Sequence, residues 1–272
     1  MFWTRFMSSV VLAVIALVTL IMGGKVLWAV TLAISVIGYM ELCRAVGVHA
    51  KGRLNAPEVI GLLGTAGYYA ALLLSAGWLF QLMAIIGVFM GSMCVYVVTF
   101  PKYHAEQVMA SFFNFAYAPL MLSFLYLTRE LPYGEYIVWL ILISSWGCDT
   151  CAYLVGICIG KKKIFPHLSP KKSLEGCIGG VVGAGLIGAG FGYFVIEKAI
   201  PDQTVTFIIA FICMVGAVMS QVGDLAASAI KRNHDIKDYG RLIPGHGGIM
   251  DRFDSVIVTA PMIFFLASLL IK

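Results

Sequence analysis

Charge is scarce in this chain: of 272 residues only 12% are Asp, Glu, Lys or Arg, while 60% are hydrophobic. A soluble domain carries about 25% charged residues, and the polar side chains present here are too few to cover a water-facing globule of this size. A disulfide framework is excluded next. The seven cysteines (Cys43, Cys94, Cys148, Cys151, Cys158, Cys177 and Cys213) are odd in number and lie in or beside apolar stretches, where packing is the ordinary use of a small buried thiol. Cys148 and Cys151 form one C-x-x-C, but no second pair completes a zinc site. Familiar catalytic signatures are also missing. There is no G-x-S-x-G and no H-E-x-x-H. GICIGKK (156–162) lacks one spacer of a P-loop and has Lys162 where a Ser or Thr belongs. No internal repeat of the kind that marks many transporters is present.

What is there is a succession of apolar runs of roughly 15–24 residues, and a bilayer core takes about 20 helical residues to cross. The runs lie near 8–22, 26–45, 58–76, 78–99, 109–127, 136–157, 177–196, 205–224 and 255–271, with a soft division at Ala76-Gly77. The fold class is therefore all-α: a polytopic transmembrane helical bundle of about nine spans. Arg5 precedes the first run as in a signal peptide, but no A-x-A-type site follows, so that run is expected to remain as a span. With nine spans and a cytoplasmic N-terminus, only Lys25, Arg129, Lys198 and Lys272 of the 19 Lys and Arg fall on the outer side. Positive-inside insertion produces such asymmetry. Count and orientation support each other.

Polar residues are unevenly distributed. The breaks HAKGRLNAPE (49–58) and PKYHAEQ (101–107) read as solvated turns, and Glu41 and Arg44, spaced i, i+3, are expected to pair. After residue 145 two long basic breaks appear, at 160–176 and 231–252, beside spans that carry Asp149 and Asp224. A carboxylate at membrane depth is costly and faces a bundle interior or a wet cavity. The division expected is 1–135 as N-terminal scaffold with a potential dimerisation surface, and 136–272 as the catalytic region. GCIGGVVGAGLIGAGFG (176–192) has the small-residue spacing of close helix packing.

The sharpest constellation is GRLIPGHGGIMDRFD (240–254). Asp251 and Asp254, three apart at the start of the last span, share a helix face, and Asp224 ends the preceding one. Carboxylates in this number can hold Mg²⁺ together with substrate phosphates; helix capping is the plainer use of the same pair. His246, Gly247 and Gly248 can expose backbone N–H groups. Lys231, Arg232, Lys237, Arg241 and Arg252, with Lys171, Lys172 and Ser173 from the other loop, supply phosphate-binding groups. Together these point to phosphoryl or nucleotidyl transfer, which depends on positioning and charge neutralisation. His167 and His234 read as solvated.

The run from Ser228 through Lys231, Arg232, Lys237, Asp238, Gly240, Ile243-Pro244, His246-Gly247-Gly248 and Asp251 to Asp254 resembles the signature of the phosphatidate cytidylyltransferases, or CDP-diacylglycerol synthases. Asp149-Thr150-Cys-Ala152-Tyr153 and Leu168-Ser169-Pro170-Lys171-Lys172-Ser173-Leu-Glu175-Gly176 resemble the family's other polar loop. Departures are Ala227 where many members have Glu, Ile157 and Cys158 where a basic residue is common, and Leu174 in place of a frequent aromatic. The resemblance implies transfer of CMP from CTP to phosphatidate in the bilayer, giving CDP-diacylglycerol and pyrophosphate. It further implies Mg²⁺, with room for a second cation such as K⁺, and a homodimer in a bacterial inner membrane with the site facing the cytoplasm. Asp224, Asp251 and Asp254 are the implied metal ligands. Lys231, Arg232, Lys237, His246 and Arg252 are the implied catalytic groups, and Ser228, Lys172, Ser173, Glu175, Gly247, Gly248 and Asp149 the substrate-binding ones. Neither a nucleic-acid partner nor a soluble domain is implied. Two other readings stay open: another membrane lipid-phosphate transferase, such as a CDP-alcohol phosphotransferase, and a transporter with a basic cytoplasmic gate. The first expects a D-x2-D-G array, and Ser255 stands at its Gly position.

Overall fold

The structure, a computed structural model, describes residues 2–49, 53–166, 168–200, 204–245 and 247–271, without the side chains of 2–6 and 9. Nine long helices account for nearly all of them: α1 Phe2–Met22, α2 Gly24–Ala45, α3 Ala56–Leu73, α4 Trp78–Thr99, α5 Ala105–Arg129, α6 Gly134–Ile159, α7 Leu174–Ala199, α8 Thr206–Asn233 and α9 Met250–Leu270. Each predicted span falls on one of them. Seven, α2 and α4–α9, are long and apolar enough to cross a membrane by length and composition. The protein is an all-α polytopic membrane protein. The soft division at Ala76-Gly77 is a turn in which Ser75 (φ 49°) and Gly77 (φ 85°) take left-handed backbone, a region that Gly enters at little cost.

The chain forms two compact units, Met1–Ser123 with Asn233–Arg252, and Phe124–Arg232 with Phe253–Lys272. The basic loop before α9 thus keeps company with the N-terminal helices, although it follows α8 in sequence.

In the first unit Tyr39, Cys43, Val48, Val88 and Phe115 form the core. Gly61 and Gly64 make it possible: a Cβ at the first would overlap the Tyr39 ring, and at the second Val88. The Tyr39 hydroxyl is bonded to Ser111 at 2.8 Å and the Tyr69 hydroxyl to Ser35 at 2.7 Å, so these buried polar groups are satisfied. The break at 49–58 was expected to be a solvated turn, but its described residues are partly buried. Glu58 is buried, accepts from the Asn55 N–H at 2.9 Å and sits 2.7 Å from His49 Nδ1. Its carboxylate closes the N-terminus of α3, where four N–H groups need partners.

In the second unit α7 packs through its glycines on both sides. Gly176, Gly179, Gly180 and Gly183 meet α6 at Ala152, Val155, Cys148 and Cys151, while Gly185, Gly188 and Gly192 meet α8 at Met214, Cys213 and Ile209. Packing of small residues draws helices together where lipid offers no hydrophobic drive. A Cβ on Gly179 would lie 2.6 Å from both Val155 methyls, whereas one on Gly190 meets nothing within 4 Å. Gly179→Ala is therefore expected to destabilise the detergent-solubilised protein by about 1–3 kcal/mol through overpacking. Gly190→Ala, which gains helix propensity, should leave the thermal midpoint unchanged or raised. All seven cysteines are free thiols.

Candidate active site

Three aspartates of the second unit, Asp149, Asp224 and Asp254, gather beside α8, more than two turns before its end at Asn233. Gly223 sits against the Asp254 carbonyl oxygen, with 2.7 Å left for a Cβ, so α8 and α9 approach to backbone contact beside Asp224 and Asp254. One turn earlier Gln221 ties two more helices to α8. Its Nε2 donates to the Cys177 carbonyl of α7 at 2.9 Å and approaches Cys148 Sγ of α6 at 3.4 Å. The Cys148 thiol itself donates to the Ala217 carbonyl at 3.8 Å. A π-helical turn at Ile143–Gly147 directly precedes Cys148 and Asp149; such turns shift the register of the side chains that follow. The outcome is that the charges of Asp149, Asp224 and Asp254 bear on one another, together with those of Lys172 and Lys231. Lys172 forms an ion pair with Asp224, its ammonium buried.

Lys172 reaches Asp224 because the loop between α6 and α7 is braced. The Glu175 carboxylate accepts from the Lys161 N–H at 3.0 Å and the Lys162 N–H at 3.2 Å. Lys163 Nζ donates to the Lys171 carbonyl at 3.0 Å, and the Leu174 N–H to the Lys162 carbonyl at 2.8 Å. Ser173 caps α7, accepting from the Gly176 N–H at 3.2 Å, the usual duty of Ser at that position. Ser173 and Glu175, expected to face substrate, thus have local tasks in the structure that hold Lys172 in place.

In the first unit the loop that leads into α9 is built around two carboxylates. The Ile243 N–H donates to the Gly247 carbonyl at 2.9 Å, closing a turn in which Gly245 and Gly247 have φ of 78° and 85°. Asp251 Oδ2 accepts from the Tyr239 N–H at 2.8 Å and the Gly248 N–H at 2.9 Å. Glu41, from α2, accepts from the Ile249 N–H at 3.1 Å and the Met250 N–H at 2.9 Å and is 3% exposed. Two sequence expectations are corrected here. Glu41 makes no ion pair with Arg44 among the described residues; its carboxylate reaches across to α9, where buried N–H groups must be satisfied. The amides of Gly248, Ile249 and Met250 are directed at Asp251 and Glu41, so the backbone cradle expected from the Gly-Gly pair is closed at these three.

Of the other expected groups, Lys237 and Arg252 are exposed in the first unit. Ser228 is half-buried and Arg232 exposed on α8 in the second. His246 lies outside the described residues. Sequence reasoning missed Gln221 and Gly223 entirely and misassigned Glu41. A signal for Glu41 was available, since it is the sole acid in the apolar run of α2, a costly position without partners.

Asp224 and Asp254 are the residues of the second unit that could hold a metal ion. Among the described residues no group of three or more His, Cys, Asp or Glu stands in a ready metal-holding arrangement. Mg²⁺ does not need one, because it is usually held by one or two carboxylates, several waters and the phosphates of its substrate. Asp224 and Asp254 are carboxylates of the kind that role requires, and in the structure Asp224 is paired with the Lys172 ammonium.

A profile described as the cytidylyltransferase family matches residues 3–270. The chain is 41% identical over 137 residues to a phosphatidate cytidylyltransferase of Bacillus subtilis (strain 168), covering 50% of this chain and 49% of that one. It is 30% identical over 263 residues to one of Staphylococcus aureus (strain COL), covering 95% and 96%. Similarity to one of Rickettsia bellii is 37% over 155 residues, covering 56% and 66%. The matched stretch thus spans about half the length of the Bacillus relative and nearly all of the staphylococcal one.

Proposed function

Because the chain belongs to the cytidylyltransferase family, we propose that it transfers CMP from CTP to phosphatidate, giving CDP-diacylglycerol and pyrophosphate for phospholipid synthesis. The observation that carries the reading is the charge cluster on α6, α8 and the first turns of α9, with Asp149, Asp224, Asp254, Lys172 and Lys231 together in the second unit. A phosphate oxygen of the lipid bonds to the α-phosphorus of CTP as the bond to the β-phosphate breaks. The lipid phosphate is already anionic at neutral pH, so no strong general base is needed. The difficulty is bringing two polyanions together.

The chain's own cations meet that difficulty. Lys172 and Lys231 contribute positive charge inside the acidic cluster, and Arg232 lies exposed just after Lys231. Lys237 in the loop before α9 and Arg252 in the first turn of α9 are exposed cations, with Arg suited to two-pronged phosphate contact. Asp224 and Asp254, with Asp149 beside them, would hold Mg²⁺; K⁺ is the second cation proposed. When bound, the divalent ion supplies charge neutralisation and alignment of the transferring phosphate. Asp251 is the further ligand expected from sequence, and in the structure it also anchors the loop at Tyr239 and Gly248. Acyl chains stay in the bilayer, which explains a site carried by apolar helices rather than by a soluble domain.

Nine membrane crossings, a cytoplasmic N-terminus, a cytoplasm-facing site in a bacterial inner membrane, and a homodimer complete the proposal. The asymmetry of Lys and Arg supports the orientation. The test is incubation of the purified protein in detergent with labelled CTP, phosphatidate and Mg²⁺. Lipid-linked CMP is expected only when both substrates and the metal are present. No labelled lipid with any phosphatidate overturns the reading.

A further inference from the structure

We propose that Glu41, far from the acidic cluster in sequence and unmatched by any catalytic motif, is the positioning residue of the loop that enters α9. The inference rests on the cytidylyltransferase reading and adds a residue to it. Its carboxylate lies buried at the start of α9, where Oε1 accepts from the Ile249 N–H at 3.1 Å and Oε2 from the Met250 N–H at 2.9 Å. These are two of the free amides of a helix N-terminus, the place where an anion is best stabilised. In many phosphate-binding proteins substrate fills that place. Here the protein fills it with its own side chain.

The loop is shaped around that carboxylate. Gly240 and Gly248 both pack against it so closely that a Cβ on either would overlap its oxygens, and the two glycines lie against each other, with 3.2 Å between a Gly240 Cβ and the Gly248 Cα. Glu41 therefore fits between two strands of loop backbone and the first turn of α9. Asp251 performs the complementary task from within, accepting from the Tyr239 and Gly248 N–H groups. Ser8 of α1 adds a third tether, donating to the Pro244 carbonyl at 3.1 Å. One carboxylate from α2 thus sets the path of the backbone at Gly240 and from Gly248 to Met250, between Lys237 and Arg252. Two consequences follow. α2 shapes a loop that runs between Lys237 and Arg252, and phosphate recognition by this loop falls to side chains, since its leading amides are already occupied.

The test compares wild type, Glu41→Gln, Glu41→Ala and Ser111→Ala, the last removing a buried hydroxyl of the same unit that bonds Tyr39 and the Pro57 carbonyl. Each is purified in detergent and measured for thermal midpoint, for kcat and KM with CTP and with phosphatidate, and for amide exchange at 247–252. The Gln side chain keeps one acceptor oxygen but turns its NH₂ toward a backbone N–H, so it satisfies one amide of the two. The expected kcat/KM for CTP is about tenfold lower for Gln and about a hundredfold lower for Ala, the graded loss tracking the number of amides still held. Exchange at Ile249 and Met250 should rise in the same order. Ser111→Ala is expected to lower the thermal midpoint comparably while keeping wild-type kcat/KM. Wild-type kcat/KM in folded Glu41→Ala, or losses that follow the thermal midpoint equally in Ser111→Ala and the Glu41 variants, would overturn the inference. Wild type that makes no labelled lipid overturns the cytidylyltransferase reading instead, and the amide-exchange comparison then still decides whether Glu41 holds the loop.

Discussion

Asp254→Asn is expected to lower CMP transfer on the order of a thousandfold, the scale of losing one principal charge-stabilising group, without loss of folded protein. The physical basis is the neighbourhood. Asp149, Asp224 and Asp254 act on one another as like charges, with Lys172 and Lys231 as partial compensation. Carboxylates that crowd together repel, so removing one charge from an assembly lacking its metal relieves repulsion. A group retained only to brace the fold would behave in the opposite way. Thermal midpoints in detergent without Mg²⁺ should be equal to or higher than wild type, and raising Mg²⁺ should restore little of the rate. A variant that keeps more than a tenth of the wild-type rate at the same Mg²⁺ concentration would remove Asp254 from the metal proposal. Asp224→Asn should lose as much activity, but its stability is expected to fall, because the buried Lys172 ammonium loses its ion pair. Removing one partner of a half-buried pair leaves the other charge uncompensated and is destabilising.

The second large effect belongs to Gly247→Ala. Gly247 has φ 85°, and a Cβ there would lie 2.7 Å from Asp251 Oδ2 and 3.2 Å from Asp238 Cβ. The left-handed backbone alone costs an L-residue about 1–2 kcal/mol, and the steric conflict strikes the carboxylate that gathers the Tyr239 and Gly248 amides. The loop has to open to admit one methyl group. Activity is expected to fall about a hundredfold, a loss typical of displacing a reacting group by about 1 Å. Gly67→Ala, where a Cβ meets nothing within 4 Å, serves as the matching control and should retain wild-type turnover. Near-normal activity in Gly247→Ala would show that the loop tolerates a different path and that its geometry does not govern the reaction.

Much of the protein could be read in advance for a simple reason. A bilayer imposes length and apolarity on each span directly, so every predicted run coincides with a helix, down to the break at Ala76-Gly77. The glycine spacing in 176–192 was equally legible, because packing of small residues against neighbouring helices is a local pattern in α7. The acids and bases could be singled out as well, since charge in an apolar chain must be there for a reason.

Partnership was not legible. Glu41 and Arg44 sit at a spacing that promises a local pair, but the buried amides of α9, 208 and 209 positions away, compete for the same carboxylate. They win because an unsatisfied N–H away from water costs more than a surface ion pair returns. The Gly-Gly segment promised open amides for the same reason that it misled: sequence shows backbone freedom but not which side chain will fill the space it leaves. Gln221 and Gly223, which bring four helices together beside Asp224, carry no motif at all.

Composition and periodicity by themselves determined that this is a helical membrane protein with acids and bases concentrated in its C-terminal half, since those properties depend on solvent and on neighbours along the chain. Only the tertiary structure decided which acids meet each other and which hold the backbone. Those outcomes depend on the approach of helices far apart in sequence, and each buried hydrogen-bonding group takes the partner that the packed fold puts within its reach.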